Sequence, residues 1–170
     1  MIIVRKDKKR KPGIRKHSYK LHTKWLGNAG HGTKDYVSYS RDVLVSAPGK
    51  EDLKMSSDPV FLGDDALWTP EDFLLASLST CHKLWYLALA SINDLIVVAY
   101  EDNPEGVMIE TSDGSGAFQS VTLHPEIKIT DPDKLEIAHE INHVAHEKCF
   151  IANSVNFDVR YDPKISVELP

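Results

Sequence analysis

The chain has little sulfur, no long unbroken apolar run and no internal repeat. Its two cysteines, Cys81 and Cys149, stand 68 positions apart, and neither belongs to a Cys-x-x-Cys pair. That spacing is poor evidence for a structural disulfide and leaves two roles open, a reactive thiol or a small buried hydrophobe. The most apolar stretch, Leu84 to Tyr100, is interrupted by Asn93 and Asp94. It therefore falls short of the ~20 uninterrupted apolar residues of a spanning helix, and no membrane partner is expected. The basic N-terminus is not followed by an apolar core of roughly 7–15 residues, so no secretory signal is read. The expected compartment is the cytoplasm, where thiols stay reduced.

What is present is ordinary for a folded domain. The chain has 170 residues, 42% of them hydrophobic and 26% charged, which argues against a disordered or collagenous chain and for one globular unit. The net charge of -5 hides an asymmetry. Eight of the 20 Lys and Arg residues lie between Arg5 and Lys16, leaving residues 17–170 with 12 basic against 24 acidic side chains. A nucleic-acid binder carries its positive charge on a structured face. Here residues 1–16 read as a basic, flexible tail and 17–170 as a single acidic domain, so no nucleic-acid partner is expected.

Periodicity supplies the elements. Residues from His17 to about Leu26 and from Asp35 to Ala47 read as strands, joined through the glycines of Gly27-Asn28-Ala29-Gly30-His31-Gly32-Thr33 as a hairpin. A long loop follows from Pro48 to Trp68. Thr69-Pro70-Glu71-Asp72 is a helix start, with a hydroxyl at the cap, proline at the first helical position and carboxylates in the first turn. That helix is expected to run to Asn93, with Leu74, Leu78, Cys81 and Trp85 on one stripe and further leucines elsewhere, which suits the middle of a fold or an interface. Leu95 to Tyr100, Val107 to Thr111 and Phe118 to Thr130 read as strands. A second helix is expected from about Asp131 to Cys149, and a last strand from Ser154 to Tyr161. The order ββ-α-βββ-α-β lacks regular βαβ alternation and argues for an α+β domain with a largely antiparallel sheet.

On the second helix, His139-Glu140-Ile141-Asn142-His143 matches the zinc-protease pattern His-Glu-x-x-His, with His146 as a third imidazole. His146 stands where the metzincin continuation needs glycine, and no later helix offers a glutamate ligand. A zinc hydrolase using His139, Glu140 and His143 is therefore the least favoured reading, and a solvated helix face the favoured one.

Several spaced motifs occur in order: Trp25-Leu26-Gly27-Asn28-Ala29-Gly30-His31-Gly32-Thr33, Tyr39-Ser40-Arg41, Ser56-Ser57-Asp58-Pro59, Gly63-Asp64, Pro70-Glu71 through Ser79-Thr80-Cys81-His82, Tyr100-Glu101-Asp102, and Ala145 through Val155. In these the chain resembles the OsmC/Ohr superfamily (osmotically inducible protein C and organic hydroperoxide resistance), particularly its OsmC-like branch, over residues 17 to about 163. The resemblance implies an OsmC-like fold of curved, mostly antiparallel sheets with two long helices. It also implies an intertwined homodimer with thiol sites near the subunit interface, and no metal or organic cofactor. It places the peroxidatic cysteine at Cys81, the resolving cysteine at Cys149 and a charge-network glutamate at Glu71.

The expected function is then a thiol-dependent peroxidase that reduces organic hydroperoxides, and hydrogen peroxide as a further substrate, with an external dithiol as reductant. Cys81 would attack as thiolate, become a sulfenic acid and be captured by Cys149 as a disulfide. Burial on a Leu/Trp stripe raises a thiol pKa, so such a site needs a nearby cation. Where close relatives carry an arginine before the Gly-Asp pair, this chain has Leu62. Near the first turn it offers Lys24 and His31. Arg41 is the remaining candidate cation, with His82 and His146 as partial sources of charge. The apolar substrate pocket is expected along Leu78, Trp85 and Phe150. Ten residues of helix rise about 15 Å, so Glu71 would reach Cys81 only across a dimer. Leu62 also supports an alternative, a non-catalytic binding or scaffold member of the same fold.

Overall fold

A computed structural model describes residues 2–3 and 13–168. Most of the basic tail expected over residues 1–16 lies outside the described residues. Among the described residues two compact units emerge, residues 13–74 and residues 75–168 together with residues 2–3.

The first unit holds β1 (His22–Trp25), β2 (Val43–Ser46) and β3 (Leu53–Met55), an antiparallel sheet in the order β1-β2-β3. The second expected strand starts eight residues late, at Val43 rather than Asp35. Residues 35–41 instead wrap into a turn. The Asp35 carboxylate accepts the Val37 N–H, and the Arg41 guanidinium donates to the carbonyls of Tyr36 and Tyr39, each at 2.6 Å. Those bonds satisfy backbone groups locally and leave no reason to join the ladder. Within the expected loop, Leu53–Met55 forms a third strand.

The helix α1 (Pro70–Ile92) begins where the sequence places it. Thr69 and Asp72 cap it reciprocally: the Asp72 carboxylate accepts the Thr69 N–H at 2.9 Å, and the Thr69 hydroxyl accepts the Asp72 N–H at 3.1 Å. By length and composition alone α1 would cross a membrane, but Leu78, His82, Tyr86, Leu89 and Ala90 on it are buried, so it is a core helix of the fold.

After α1, the second unit continues with β4 (Val97–Asp102), β5 (Glu105–Glu110), β6 (Gly116–Leu123), β7 (Pro125–Ile129), α2 (Leu135–Lys148), β8 (Asp158–Tyr161) and β9 (Lys164–Val167). These strands make two mixed sheets, β4-β7-β9 and β5-β6-β8. The observed order is thus βββ-α-ββββ-α-ββ, an α+β fold in which four of the six described strand pairings are antiparallel.

The single strand expected over Phe118–Thr130 is two strands in two sheets. The break falls at His124-Pro125, where the His124 N–H donates to the Asp102 carboxylate at 2.7 Å and Pro125 has no N–H to give. The C-terminal chain makes the same change of sheet at Asp162-Pro163. There β8 runs parallel to β6 and β9 runs parallel to β7, and the Asp162 N–H bonds the Leu123 carbonyl at 2.9 Å. Strand β9 was not expected from the sequence.

The core gathers Tyr86, Leu89 and Ala90 of α1, Leu95, Ile127 and Ile129 of the sheet side, and Ala138, Ile141 and Ala145 of α2. On β7 the alternation is complete, with Pro125, Ile127 and Ile129 buried and Glu126 and Lys128 exposed. Residues 2–3 join this unit: Asn93 at the end of α1 accepts the Ile3 N–H at 2.8 Å and donates to the Ile3 carbonyl at 2.9 Å.

Candidate functional site

Cys81 lies at the middle of α1 and is half-buried, whereas Cys149, the residue that follows α2, is 1% exposed. The core packing of α1 and α2 brings the two near each other, close enough for Cys81 to bear on the Cys149 thiol. Both thiols are free. Burial, first of all, pushes the Cys149 thiol up to about 11. The Ala152 N–H, 3.4 Å from Cys149 Sγ, pulls the other way, the neighbouring Cys81 raises it further, and the Ile151 amide lowers it. No cationic side chain is among these influences. Beside the pair, Trp85 and Phe150 meet edge to face with ring centroids 5.6 Å apart. Phe150 is 67% exposed, but Leu78 has no exposed surface, which removes it from the expected pocket lining.

One residue on from Cys81, His82 is fully buried, and its Nδ1 lies 3.0 Å from the Tyr100 hydroxyl on β4. Loss of hydration lowers its pKa to about 4; the Asn142 carbonyl and Asp102 oppose the shift, and His146 adds to it. His146 is lowered too, by burial and then by His143, against Asp158 and Glu147. Burial thus disfavours the charged form of both imidazoles, which weighs against their expected role as partial sources of charge. The motif Tyr100-Glu101-Asp102 explains itself structurally. Tyr100 holds His82, and Asp102 accepts a short bond from buried Ser79, so β4 is fastened to α1 at two points.

Arg41 is not on a strand, although it falls within the strand expected from Asp35 to Ala47. Besides its two carbonyl bonds, its guanidinium sits 4.5 Å and 4.2 Å from the ring centroids of Tyr36 and Tyr39. It lines a depression of about 700 Å³ in the first unit together with Gly27, Asn28 and Leu62. Leu62 ends the short turn over Pro59–Phe61 in a left-handed conformation, φ 63°. Glu71 is half-buried in the first turn of α1, ten residues before Cys81 on one unbroken helix.

Two further motifs are turn-building. A Cβ on Gly27 would stand 1.8 Å from the Ser40 carbonyl oxygen, and one on Gly63 would stand 1.6 Å from that of Ser57. Asn28 accepts the N–H groups of Gly30 and Gly32, and Ser56 accepts that of Asp64.

The zinc-protease pattern does not gather ligands. His143 is engaged by the Tyr161 hydroxyl at 2.9 Å and by Glu147 at 3.4 Å, and no group of three His, Cys, Asp or Glu able to hold a metal occurs among the described residues. Sequence reasoning passed over Asn142, the variable position inside that pattern, which is fully buried beside His82. Its one signal was an amide on the helix face shared by Ala138 and Ala145.

Fold and site together define an α+β protein with a pair of free thiols held between its two long helices. The family model for OsmC-like proteins matches residues 63–164, and the chain belongs to that family. An OsmC-like protein of unknown function from Vibrio cholerae is 28% identical, with 88% of this chain and all of that one covered at a TM-score of 0.79. An OsmC-like protein from Mycoplasma pneumoniae is 13% identical over 89% of this chain and 99% of that one, with a TM-score of 0.68. The organic hydroperoxide resistance protein OhrB of Bacillus subtilis is 20% identical over 86% and 98%, with a TM-score of 0.59. These last two share the fold. Comparison with curated proteins gives no match.

Proposed function

We propose that this protein is a thiol-dependent peroxidase acting on organic hydroperoxides, with Cys81 as the attacking sulfur and Cys149 as the resolving one. The observation that carries the reading is that two free thiols, 68 positions apart in the sequence, come near each other in the fold. In the first step Cys81 thiolate takes the distal oxygen of the hydroperoxide, and the alkoxide leaves to be protonated as alcohol. In the second, Cys149 displaces hydroxide from the Cys81 sulfenic acid and a disulfide forms. An external dithiol reduces it, in a cytoplasm-like reducing compartment. The half-buried Cys81 and the exposed Phe150 ring give an apolar substrate a place to approach.

A homodimer belongs to this reading. On α1, Ala76, Thr80, Leu84, Leu87 and Ser91 form an exposed stripe, and Val107, Met108 and Ile109 of β5 are 40–55% exposed. Such apolar surface asks for a partner. Glu71 would reach Cys81 only from the second copy, and Arg41, which shares a depression with Leu62, takes the place of the missing arginine.

The competing reading, a binding or scaffold protein with a decayed site, draws on Arg41 being bonded to the carbonyls of Tyr36 and Tyr39. Thiol loss on adding cumene hydroperoxide decides between them. The peroxidase requires rapid oxidation that disappears in Cys81→Ser, and a disulfide that disappears in Cys149→Ser while a trappable sulfenic acid remains. Oxidation no faster than that of a free thiol overturns the peroxidase and leaves the scaffold.

A further inference from the structure

The α1/α2 contact is polar where it passes the thiols. His82 and Tyr86 on α1 and Asn142 on α2 have no exposed surface, and His146 on α2 has a buried Nδ1. They form two i, i+4 pairs, one on each helix, so each pair shares a helix face. The pairs meet: the His82 and His146 rings lie 6.4 Å apart, and the Asn142 carbonyl bears on the His82 imidazole. Five polar atoms in this layer have no hydrogen-bond partner among the described residues: His82 Nε2, Tyr86 Oη, Asn142 Nδ2 and Oδ1, and His146 Nδ1.

A buried polar atom without a partner has lost its hydration for nothing, and five of them left bare would cancel a large part of a domain's net stability. Buried water is the usual remedy, each molecule bonding about three otherwise unsatisfied groups. The atoms here suit it: the Tyr86 hydroxyl and Asn142 Nδ2 donate, Asn142 Oδ1 accepts, and each imidazole nitrogen does either by tautomer. The layer also has a way out. The His146 ring lies 4.8 Å from that of Tyr161, whose hydroxyl meets His143, which in turn meets half-exposed Glu147. The thiols border the layer along the chain: Cys81 precedes His82 on α1, and Cys149 follows α2, its N–H bonded to the His146 carbonyl at 3.2 Å.

We propose that His82, Tyr86, Asn142 and His146 hold ordered water between α1 and α2 as a proton-transfer site for the Cys81–Cys149 pair, an inference that rests on the peroxidase reading. The step served is disulfide closure. Cys149 Sγ bonds to the sulfenic sulfur of Cys81 as the S–O bond breaks, and the Cys149 proton leaves with hydroxide as water. Cys149 is a reluctant acid, so the proton needs a path at the moment the S–S bond forms. Neutral imidazoles and water pass a proton along without holding it. The four side chains are positioning residues and none touches the hydroperoxide.

The test follows sulfenic acid formation and disulfide closure as separate phases after mixing with cumene hydroperoxide, in H₂O and D₂O, for wild type, Asn142→Leu and His82→Gln. Sulfenic acid formation should stay within about twofold of wild type in both variants, while closure slows by about tenfold or more. Closure in wild type should be slower in D₂O. Closure unchanged in both variants overturns the relay and leaves the peroxidase standing. Wild-type protein that forms no sulfenic acid overturns the peroxidase, and the relay's role with it. A crystal structure of the reduced wild type, which does not depend on either variant folding, should show water within hydrogen-bond distance of His82 Nε2 and the Asn142 amide. A dry layer overturns the site whatever the kinetics.

Discussion

Acidification should destabilise this protein through His82 before carboxylates become the main issue. In the folded state burial holds the imidazole near pKa 4, against 6.5 for an ordinary histidine. The unfolded chain therefore binds a proton between those values that the native state refuses. Stability from this group is fully present above pH 6.5, falls as the pH drops, and is lost once the pH passes below 4. At 1.36 kcal/mol per pKa unit the whole effect is about 3 kcal/mol, of which roughly 2.5 kcal/mol is gone by pH 4.5. Against a typical net stability of about 5–15 kcal/mol that is a large share. Urea unfolding at pH 7, 6, 5 and 4.5 reads it directly, as a midpoint shift of about 1 M. The groups around the ring, Tyr100, Asp102, Asn142 and His146, stay in place in His82→Gln, which keeps a hydrogen-bonding side chain without the titration. That variant should lose roughly 2.5 kcal/mol less between pH 7 and 4.5 than wild type does. Parallel losses in the two proteins would refute the reasoning. His146, also lowered, supplies a smaller slope that His82→Gln retains.

Three further outcomes follow from the geometry. Gly63→Ala should cost about 2–3 kcal/mol in urea unfolding, because its Cβ would stand 1.6 Å from the Ser57 carbonyl oxygen and the backbone would have to move; a loss below about 0.5 kcal/mol would show that the turn yields freely. Leu84→Glu, at a position 66% exposed on α1, should convert a dimer to monomer in analytical ultracentrifugation with little change in monomer folding, and an unchanged mass would dismiss the stripe as an interface. At pH 8, Cys149 in Cys81→Ser should react with iodoacetamide at least about 10-fold more slowly than a free thiol, since burial, the largest cause of its raised pKa, remains when Cys81 is removed; labelling at the free-thiol rate would contradict the burial argument.

The parts of the fold legible in the sequence were those where one local signal and one periodicity agreed. Thr69-Pro70-Glu71-Asp72 gave the start of α1 because cap, proline and carboxylates act within four residues, and the structure closes the reciprocal cap there. The change of sheet at His124-Pro125 was not legible. Alternation runs on through Phe118–Thr130, and what ends the first ladder is the Asp102 carboxylate, which lies 22 positions away and takes the His124 N–H. The wrap of residues 35–41 was hidden for a similar reason. Tyr36, Val37 and Tyr39 favour strands, but the Arg41 bonds to two carbonyls win. In the site, the cysteine pair came from the resemblance, because spacing cannot say which helix faces meet. Asn142 was concealed by the zinc-protease pattern, which treats it as a variable position. Exposure separates the two readings of that helix: His139 and His143 lie outside and Asn142 inside.

Within the peroxidase reading, the unequal surroundings of the two sulfurs give the proposed roles a physical order. A thiol that is 1% exposed and shifted upward by burial is a poor nucleophile toward a peroxide arriving from solvent, so in that reading Cys149 stays protonated while its half-buried neighbour reacts first. Oxidation of Cys81 changes the balance. In that reading the sulfenic sulfur is an electrophile already near Cys149, and capture would depend less on encounter than on moving one proton. Burial that would disable Cys149 as the first nucleophile thus protects it for the second step. The same burial disfavours the charged forms of His82 and His146, so the positive charge that would favour Cys81 thiolate is sought outside this layer. Within the peroxidase reading that requirement falls on Arg41 or on a second copy of the chain. An active site divided between subunits would also give the exposed stripe on α1 a catalytic reason to be covered.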